Sequence, residues 1–320
     1  MYRFRLCAFL MSGMLGACLL LAACHPIESE PVVRVGYLNI TASLPLFVAE
    51  DQGFFAADGI QYQALPFATS DQLVDEIVSG NLDIAIEVSA VPVVAAERRA
   101  HGRLKIFAAS SITRQAPFDA LLVEDGSPVS ELSQLADTRI GVFPGSTATS
   151  LLNKFLADRG VAVSGISFVP MSPQEQITAL LEGSVDAVHS YEPMTTIALV
   201  QGGVRRLFGS VYAEMLDRNP QGVAVVASGF VAEHSDTARK SIRALERAMV
   251  FMREHEDEAR RILAERLGLD QSVAARSVFL YMLPHDEIDT SVLQQYVNIL
   301  GDLNELDGRV DVDDLLYGGT

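Results

Sequence analysis

From Val32 onward the chain switches repeatedly between two hydrophobic periods. VVRVGYL is a β-branched run, NITAS is polar, and LPLFVAEDQGFF spaces its apolar residues as one helical face requires. IQYQALPF predicts a second strand, SDQLVDEIVSG a helix capped by Ser70 or Asp71, and NLDIAIEVSA a third strand. This alternation predicts a βαβαβ unit with a parallel sheet and right-handed crossovers.

The same order then returns. TRIGVFP predicts a strand, GSTAT a polar turn, SLLNKFLADRG a helix, ISFVPMS a strand, PQEQITALLEG a helix, and SVDAVHSYEP a strand running into a loop. Gly80 and Asp83 in SGNLDIA correspond to Gly183 and Asp186 in EGSVDAV at a fixed offset of 103. Two α/β lobes in one chain follow from that repetition. FDALLVE, from Phe118, reads as the crossing into the second lobe, and GVAVVASGFV, from Gly222, as the way back. Beyond it, DTARKSIRALERAMVFMREH, EARRILAERLG and TSVLQQYVNILGDL are helical by period and read as buttresses on the first lobe. Two crossings make a hinge, and hinged lobes can close around a ligand.

In open parallel sheets ligands collect beyond the carboxyl ends of the strands. Those ends are the segments 39–43, 66–70 and 87–92 in the first lobe, and 145–150, 170–173 and 190–193 in the second, all dense in small polar residues. GVFPGSTATSLL sits where a phosphate loop would, between strand and helix, but lacks its lysine and second glycine. Its backbone N–H groups at a helix start can still hold an anion or a polar group.

The leader and the composition narrow the picture. Arg3 and Arg5 precede an apolar stretch, Leu6 to Ala23, that ends in LAAC; this reads as a signal peptide (1–23) with lipid attached at Cys24, and a membrane anchor is the competing reading. HPIESEP completes a tether over 24–31. The expected lobes are 32–117 plus 229–320, and 118–228. Cys7, Cys18 and Cys24 all lie in the leader, which excludes a disulfide, a thiolate nucleophile or a cysteine metal ligand from the folded part. Six scattered histidines show no metal-ligand spacing, and no cofactor is implied. A net charge of −17 argues against nucleic acid, while 49 % hydrophobic residues mark a globular chain.

VGYLNITASLPLFVAEDQGFFAADGI, LVDEIVSGNLDIAIEVSA, IGVFPGSTATSLLNKFLADRGV and ALLEGSVDAVHSYEPMTTIAL carry a family resemblance across nearly all of the chain after the leader. It resembles the solute-binding proteins of ABC importers, in the NMT1/THI5-like group that contains nitrate, taurine, alkanesulfonate and thiamine-pyrimidine binders. The resemblance implies a bilobal Venus-flytrap fold, a small-molecule ligand, an ABC permease with a cytoplasmic ATPase as partners, and a monomer held on the periplasmic side of a bacterial membrane by its lipid. It also implies ligand contacts at Asn39 and Thr41, Glu87 and Ser89, Ser146 and Thr147, and Tyr191 with Glu192. Tyr191 keeps an aromatic before the acid–proline pair, but the chain has no tryptophan for a Trp stacking platform.

Each candidate also has a plain structural reading. Ser146 or Thr147 can cap a helix, Glu192 can be a hinge acid, and His189 can be a packed strand residue. Phe67 and Tyr37 read as core or pocket-wall aromatics. Arg114 is a candidate clamp for a carboxylate or sulfonate, or else pairs with a surface acid. Two acids, Glu87 and Glu192, facing one cleft would disfavour a simple anion. The expected solute is therefore a small polar molecule such as a pyrimidine or another vitamin precursor, with sulfonate, taurine or nitrate as the alternative. A surface sensor is a further class. A thiamine-pyrimidine synthase-like enzyme would need cysteines that the chain lacks after Cys24.

Overall fold

The computed structural model describes residues 31–301, 303 and 310–318, so the expected signal segment, the expected lipidation at Cys24 and most of the expected tether lie outside the described residues. The strands in chain order are β1 (Val33–Leu38), β2 (Tyr62–Phe67), β3 (Ile84–Ser89), β4 (Leu104–Ser110), β5 (Asp119–Glu124), β6 (Arg139–Val142), β7 (Ser167–Pro170), β8 (Ala187–Tyr191), β9 (Val204–Phe208), β10 (Gly222–Ala227) and β11 (Met282–Pro284). They form a sheet of order β11-β4-β10-β3-β1-β2 and a second of order β7-β6-β8-β5-β9.

The predicted repeat is visible in the pairing. β1 lies parallel to both β2 and β3, and β6 lies parallel to both β7 and β8. A matching clamp fixes the register of each unit. Arg34 N–H donates to Asp83 Oδ2 at 2.8 Å while its guanidinium grips the same carboxylate, and Arg139 N–H donates to Asp186 Oδ2 at 2.8 Å in the same way. The aspartates that mark the repeat in the sequence thus tie the start of each third strand to the start of each first strand.

Purely parallel lobes are not what forms. β10 runs antiparallel to β3 and β4, and β5 runs antiparallel to β8 and β9, so both sheets are mixed. The cause is the crossing itself. β3 and β8 end at the cleft, whereas β5 and β10 begin there and must run away from it. The pairing of β10 with β3 also puts residues 222–227 in the first sheet, so the return crossing falls before Gly222 and not at 228.

The helices in order are α1 (Leu44–Asp51), α2 (Phe54–Ala57), α3 (Ser70–Val78), α4 (Ala90–Arg99), α5 (Ser146–Ala157), α6 (Pro173–Leu181), α7 (Met194–Gln201), α8 (Val211–Met215), α9 (Ser228–Glu233), α10 (Ser235–Glu254), α11 (Glu256–Leu267), α12 (Gln271–Ala274) and α13 (Thr290–Gly301). α10 buries Ala238, Ile242, Leu245, Met249 and Met252, one stripe at helical spacing, and packs it on α1. With α11 also across it, α1 is buried from Leu44 through Ala49. In the second sheet β5 serves both faces by alternation. Leu121 and Val123 join the large core, and Ala120 and Leu122 join a smaller one with Ile177, Leu180 and Val188.

The crossing segments pair with each other. Ile112 and Asn219 exchange backbone hydrogen bonds of 3.0 and 2.9 Å, and the buried Asn219 amide donates to the Tyr212 carbonyl at 2.8 Å. Among the described residues no helix is long and apolar enough to cross a membrane.

Candidate functional site

A small cavity of about 50 Å³ opens where the strand ends of the two sheets meet. From the first sheet and its helices it is lined by Leu38, Ile40, Ser70, Asp71, Glu87, Ser89 and Gln221; from the second, by Phe118, Phe143, Pro144, Thr147, Ala148 and Tyr191. That volume is room for a few water molecules. A larger solute enters only if the two halves part.

Hydrogen bonds across the cleft hold the halves together. Ser146, the first residue of α5, donates its N–H to Asp71 Oδ2 at 3.3 Å and its hydroxyl to Asp71 Oδ1 at 2.9 Å. Thr147 donates its hydroxyl to Ser89 Oγ at 2.9 Å. The turn GSTAT therefore holds an anion after all: the carboxylate of the other half, placed at the positive end of α5. Gly145 makes this possible. Its φ of 105° is open to glycine, and a Cβ there would sit 2.7 Å from Asp71 Oδ2. α5 has no side-chain cap; Thr69, not Ser70 or Asp71, caps α3; and Ser89 caps α4, which begins inside the segment predicted as a loop.

Glu87 is the most constrained residue in the cavity. Between Val223 and Val225 the β3–β10 ladder slips, so that Ile86 and Glu87 together oppose Ala224. This is a β-bulge, and Glu87 sits in it at a φ of 53°, a region that side-chain-bearing residues seldom adopt. Its carboxyl packs against the α-carbon of Gly222, where a Cβ would overlap Oε1. Glu87 is only 4 % exposed and Oε2 has no partner. Burial pushes its carboxyl well above the usual carboxylate range.

The opposite wall is aromatic. Tyr191 stacks on Phe118 with ring centroids 5.8 Å apart and meets Phe143 edge-on at 5.6 Å. Its hydroxyl shares a 2.6 Å hydrogen bond with that of buried Tyr212, and burial raises its pKa. Behind it His189 Nε2 lies 2.8 Å from Asp119 Oδ2, and Asp119 also accepts from the Ser210 hydroxyl and from Val211 N–H at 2.8 Å. This fully buried set ties β5, β8 and α8 together and makes His189 a packed strand residue.

Four of the sequence candidates, Glu87, Ser89, Thr147 and Tyr191, line the cavity; the others lie elsewhere. Ser146 is at its edge, bonded to Asp71. Asn39 is exposed and Thr41 is buried with its hydroxyl unpartnered, while their neighbour Ile40 does the lining. Phe67 packs against the core, close to Gly36. Glu192 is buried beside α7, where Oε1 accepts from the Thr196 hydroxyl at 3.0 Å, and desolvation lifts its carboxyl to about 7. Arg114 is an exposed surface residue whose guanidinium takes both oxygens of Glu214, so it corrects to the plain reading of a surface ion pair. The two-acid objection to an anion also changes: Glu192 is outside the cavity, and the second carboxyl in it is Asp71. Asp71, Gln221, Phe118 and Phe143 went unread as lining residues. Phe143 had a signal, since it stands at a strand end just before a predicted cleft segment, and Phe118 opens the run read as the crossing between the lobes.

Two mixed α/β sheets around a cleft define the periplasmic-binding-protein fold. Residues 27–268 match the model of the NMT1-like family, and the chain belongs to that family. A Bacillus subtilis (strain 168) protein named for aliphatic sulfonate binding is 26 % identical over 89 % of this chain and 85 % of its own. The alkanesulfonate-binding protein SsuA of Xanthomonas axonopodis pv. citri, solved with MOPS bound, superposes with a TM-score of 0.74 at 20 % identity, covering 90 % of this chain and 99 % of that one. The desulfurization enzyme DszB superposes at 0.63 and 18 % identity, covering 89 % and 96 %, so this fold by itself serves both binding and catalysis.

Proposed function

We propose that this chain is an extracytoplasmic solute-binding lipoprotein of an ABC import system, which captures a small polar solute in the cleft and delivers it to a permease driven by a cytoplasmic ATPase. One observation carries the reading: a cavity walled by both sheets is closed by Asp71–Ser146 and Ser89–Thr147 hydrogen bonds, so occupancy and closure are coupled. The family and the B. subtilis relative support it. Catalysis has less support, because no histidine or lysine lines the cavity beside Ser70, Ser89 or Thr147 to act as a base.

The lining favours a flat, uncharged solute of the pyrimidine type. Three aromatic rings form one wall, two carboxyl groups stand opposite, and no lysine or arginine is present to neutralise an anion. A sulfonate is the second reading, favoured by the relative's name and by the start of α5 as an anion site. Calorimetry against pyrimidines, taurine, alkanesulfonates and nitrate, with small-angle scattering of each mixture, tests the proposal. Binding with compaction supports it; a chain that binds none of them and never compacts refutes it. Palmitate labelling that is lost in Cys24→Ala tests the anchor.

A further inference from the structure

We propose that Glu87 is the specificity-determining residue of the cleft, a neutral carboxylic acid that offers one O–H donor and one C=O acceptor to an adjacent acceptor–donor edge on a flat, uncharged heterocycle. The inference rests on the solute-binding reading above and names the chemistry of the solute.

Three independent features converge on this side chain. The bulge in β3 and the positive φ put Glu87 out of the ladder's alternation, a local cost that the surrounding sheet must hold in place. Gly222 leaves space for the carboxyl where any other residue would overlap it. Oε2 is then buried without any partner from the protein, although the carboxyl lines the cavity. A polar atom held in this way is costly unless something else completes its hydrogen bonds.

The surroundings decide its charge. The titratable groups facing the cavity with Glu87 are Asp71 from α3 and Tyr191 from β8; Gln221 before β10 and Thr147 on α5 are uncharged, and no cation is among them. Burial strips the ionised form of Glu87 of its hydration, and no cation lines the cavity to replace it, which favours the neutral acid. A neutral acid presents its donor and its acceptor in one plane. That pair matches a ring nitrogen beside an amino group, or a lactam edge, and the Phe118–Tyr191–Phe143 wall supplies a face for the ring. A sulfonate could take the O–H, but its oxygens would then face the carbonyl lone pairs.

The test uses the whole chain with 2-aminopyrimidine as probe and ethanesulfonate as the anionic control, titrated calorimetrically between about pH 5 and pH 9. The wild type is expected to bind 2-aminopyrimidine and to lose about tenfold in affinity toward the alkaline end as the acid ionises. Glu87→Gln keeps one donor and one acceptor, so it is expected to hold affinity within about threefold and to lose the pH dependence. Glu87→Ala is expected to lose about tenfold at every pH, and Glu87→Gln keeps the test open should the alanine variant not fold. An infrared difference spectrum of the ligand-free wild type against Glu87→Gln should show the C=O band of a protonated carboxyl. Its absence overturns the Glu87 assignment whatever the solute, as does an unchanged pH profile in Glu87→Gln. With the band present, binding of ethanesulfonate alone, or of neither probe, overturns the uncharged-solute reading and the proposal with it.

Discussion

Removing the Asp71 carboxylate should open the ligand-free protein. Asp71 accepts two hydrogen bonds from Ser146, at 2.9 and 3.3 Å, and lies at the start of the twelve-residue helix α5. A carboxylate at a helix N-terminus is worth about 0.3–1 kcal/mol, and a solvent-facing hydrogen bond to it adds about 0.5 kcal/mol. The sum, about 0.8–1.5 kcal/mol, corresponds to a change of about four- to thirteenfold in the closed-to-open ratio. Asp71→Asn keeps an acceptor without the charge and should move the ratio about threefold, whereas Asp71→Ala should move it the full amount. The Thr147–Ser89 hydrogen bond survives in both variants and limits the opening. Spin labels on the exposed faces of α3 and α6 read the distance between halves, and small-angle scattering reads the radius of gyration. Added salt should weaken the wild-type latch and leave Asp71→Ala unmoved. If the Asp71→Ala distance distribution superimposes on that of the wild type, the carboxylate does not hold the cleft shut.

Further outcomes follow from the scaffold. Asp83→Ala strips the acceptor from Arg34 N–H at the start of β1 and should cost about 1–3 kcal/mol in chemical denaturation, while Asp186→Ala in the more exposed second clamp should cost less. The Arg139 pairing lowers the Asp186 pKa, so its stabilisation is present above the unfolded value and is lost as pH falls below about 4; Asp186→Asn should flatten that limb of a melting-temperature profile. Glu192 behaves in the opposite sense: its folded pKa of about 7 lies above the unfolded one, so ionisation erodes stability as pH rises from about 4 to about 7. Glu192→Gln should therefore gain on the wild type by on the order of 3 kcal/mol at pH 8 and by almost nothing at pH 4. Asp119→Ala leaves His189 and the Ser210 cap without their shared acceptor in a fully buried place, and a loss of about 3–5 kcal/mol by denaturant titration is expected.

How much of this was legible in the sequence depends on how local the cause is. The parallel triplets β2-β1-β3 and β7-β6-β8 follow from period and order, and their strand ends marked the cleft before any coordinates did. The antiparallel members did not follow from period. β5 and β10 read as strands, yet their direction depends on which side of the hinge the chain enters from. β4 and β9 were not read at all, although Gly102 and the Gly202–Gly203 pair mark the turns before them, because LKIFAAS and VRRLF are short runs that mix basic with apolar residues. At the site, the family resemblance pointed to Glu87, Ser89, Thr147 and Tyr191. Asp71 escaped because a carboxylate just inside a helix start already has a sufficient local reason to be there.

The two halves share a scaffold and diverge where they meet. Arg34–Asp83 and Arg139–Asp186 occupy the same place at the amino ends of their parallel units, far from the cleft, and both set strand register. At the carboxyl ends the equivalence stops. The third strand of the first unit ends in a bulge with a buried acid, and that of the second ends in a tyrosine stacked on phenylalanine. A symmetric pair of jaws would present like groups to like. Here one jaw offers carboxyl groups and the other offers rings and a helix start, so each face of a bound ring would meet different chemistry. A substitution that made the jaws alike, such as Glu87→Tyr, should abolish capture while leaving the register clamps untouched, and a variant that still bound 2-aminopyrimidine would show that recognition lies elsewhere in the cleft.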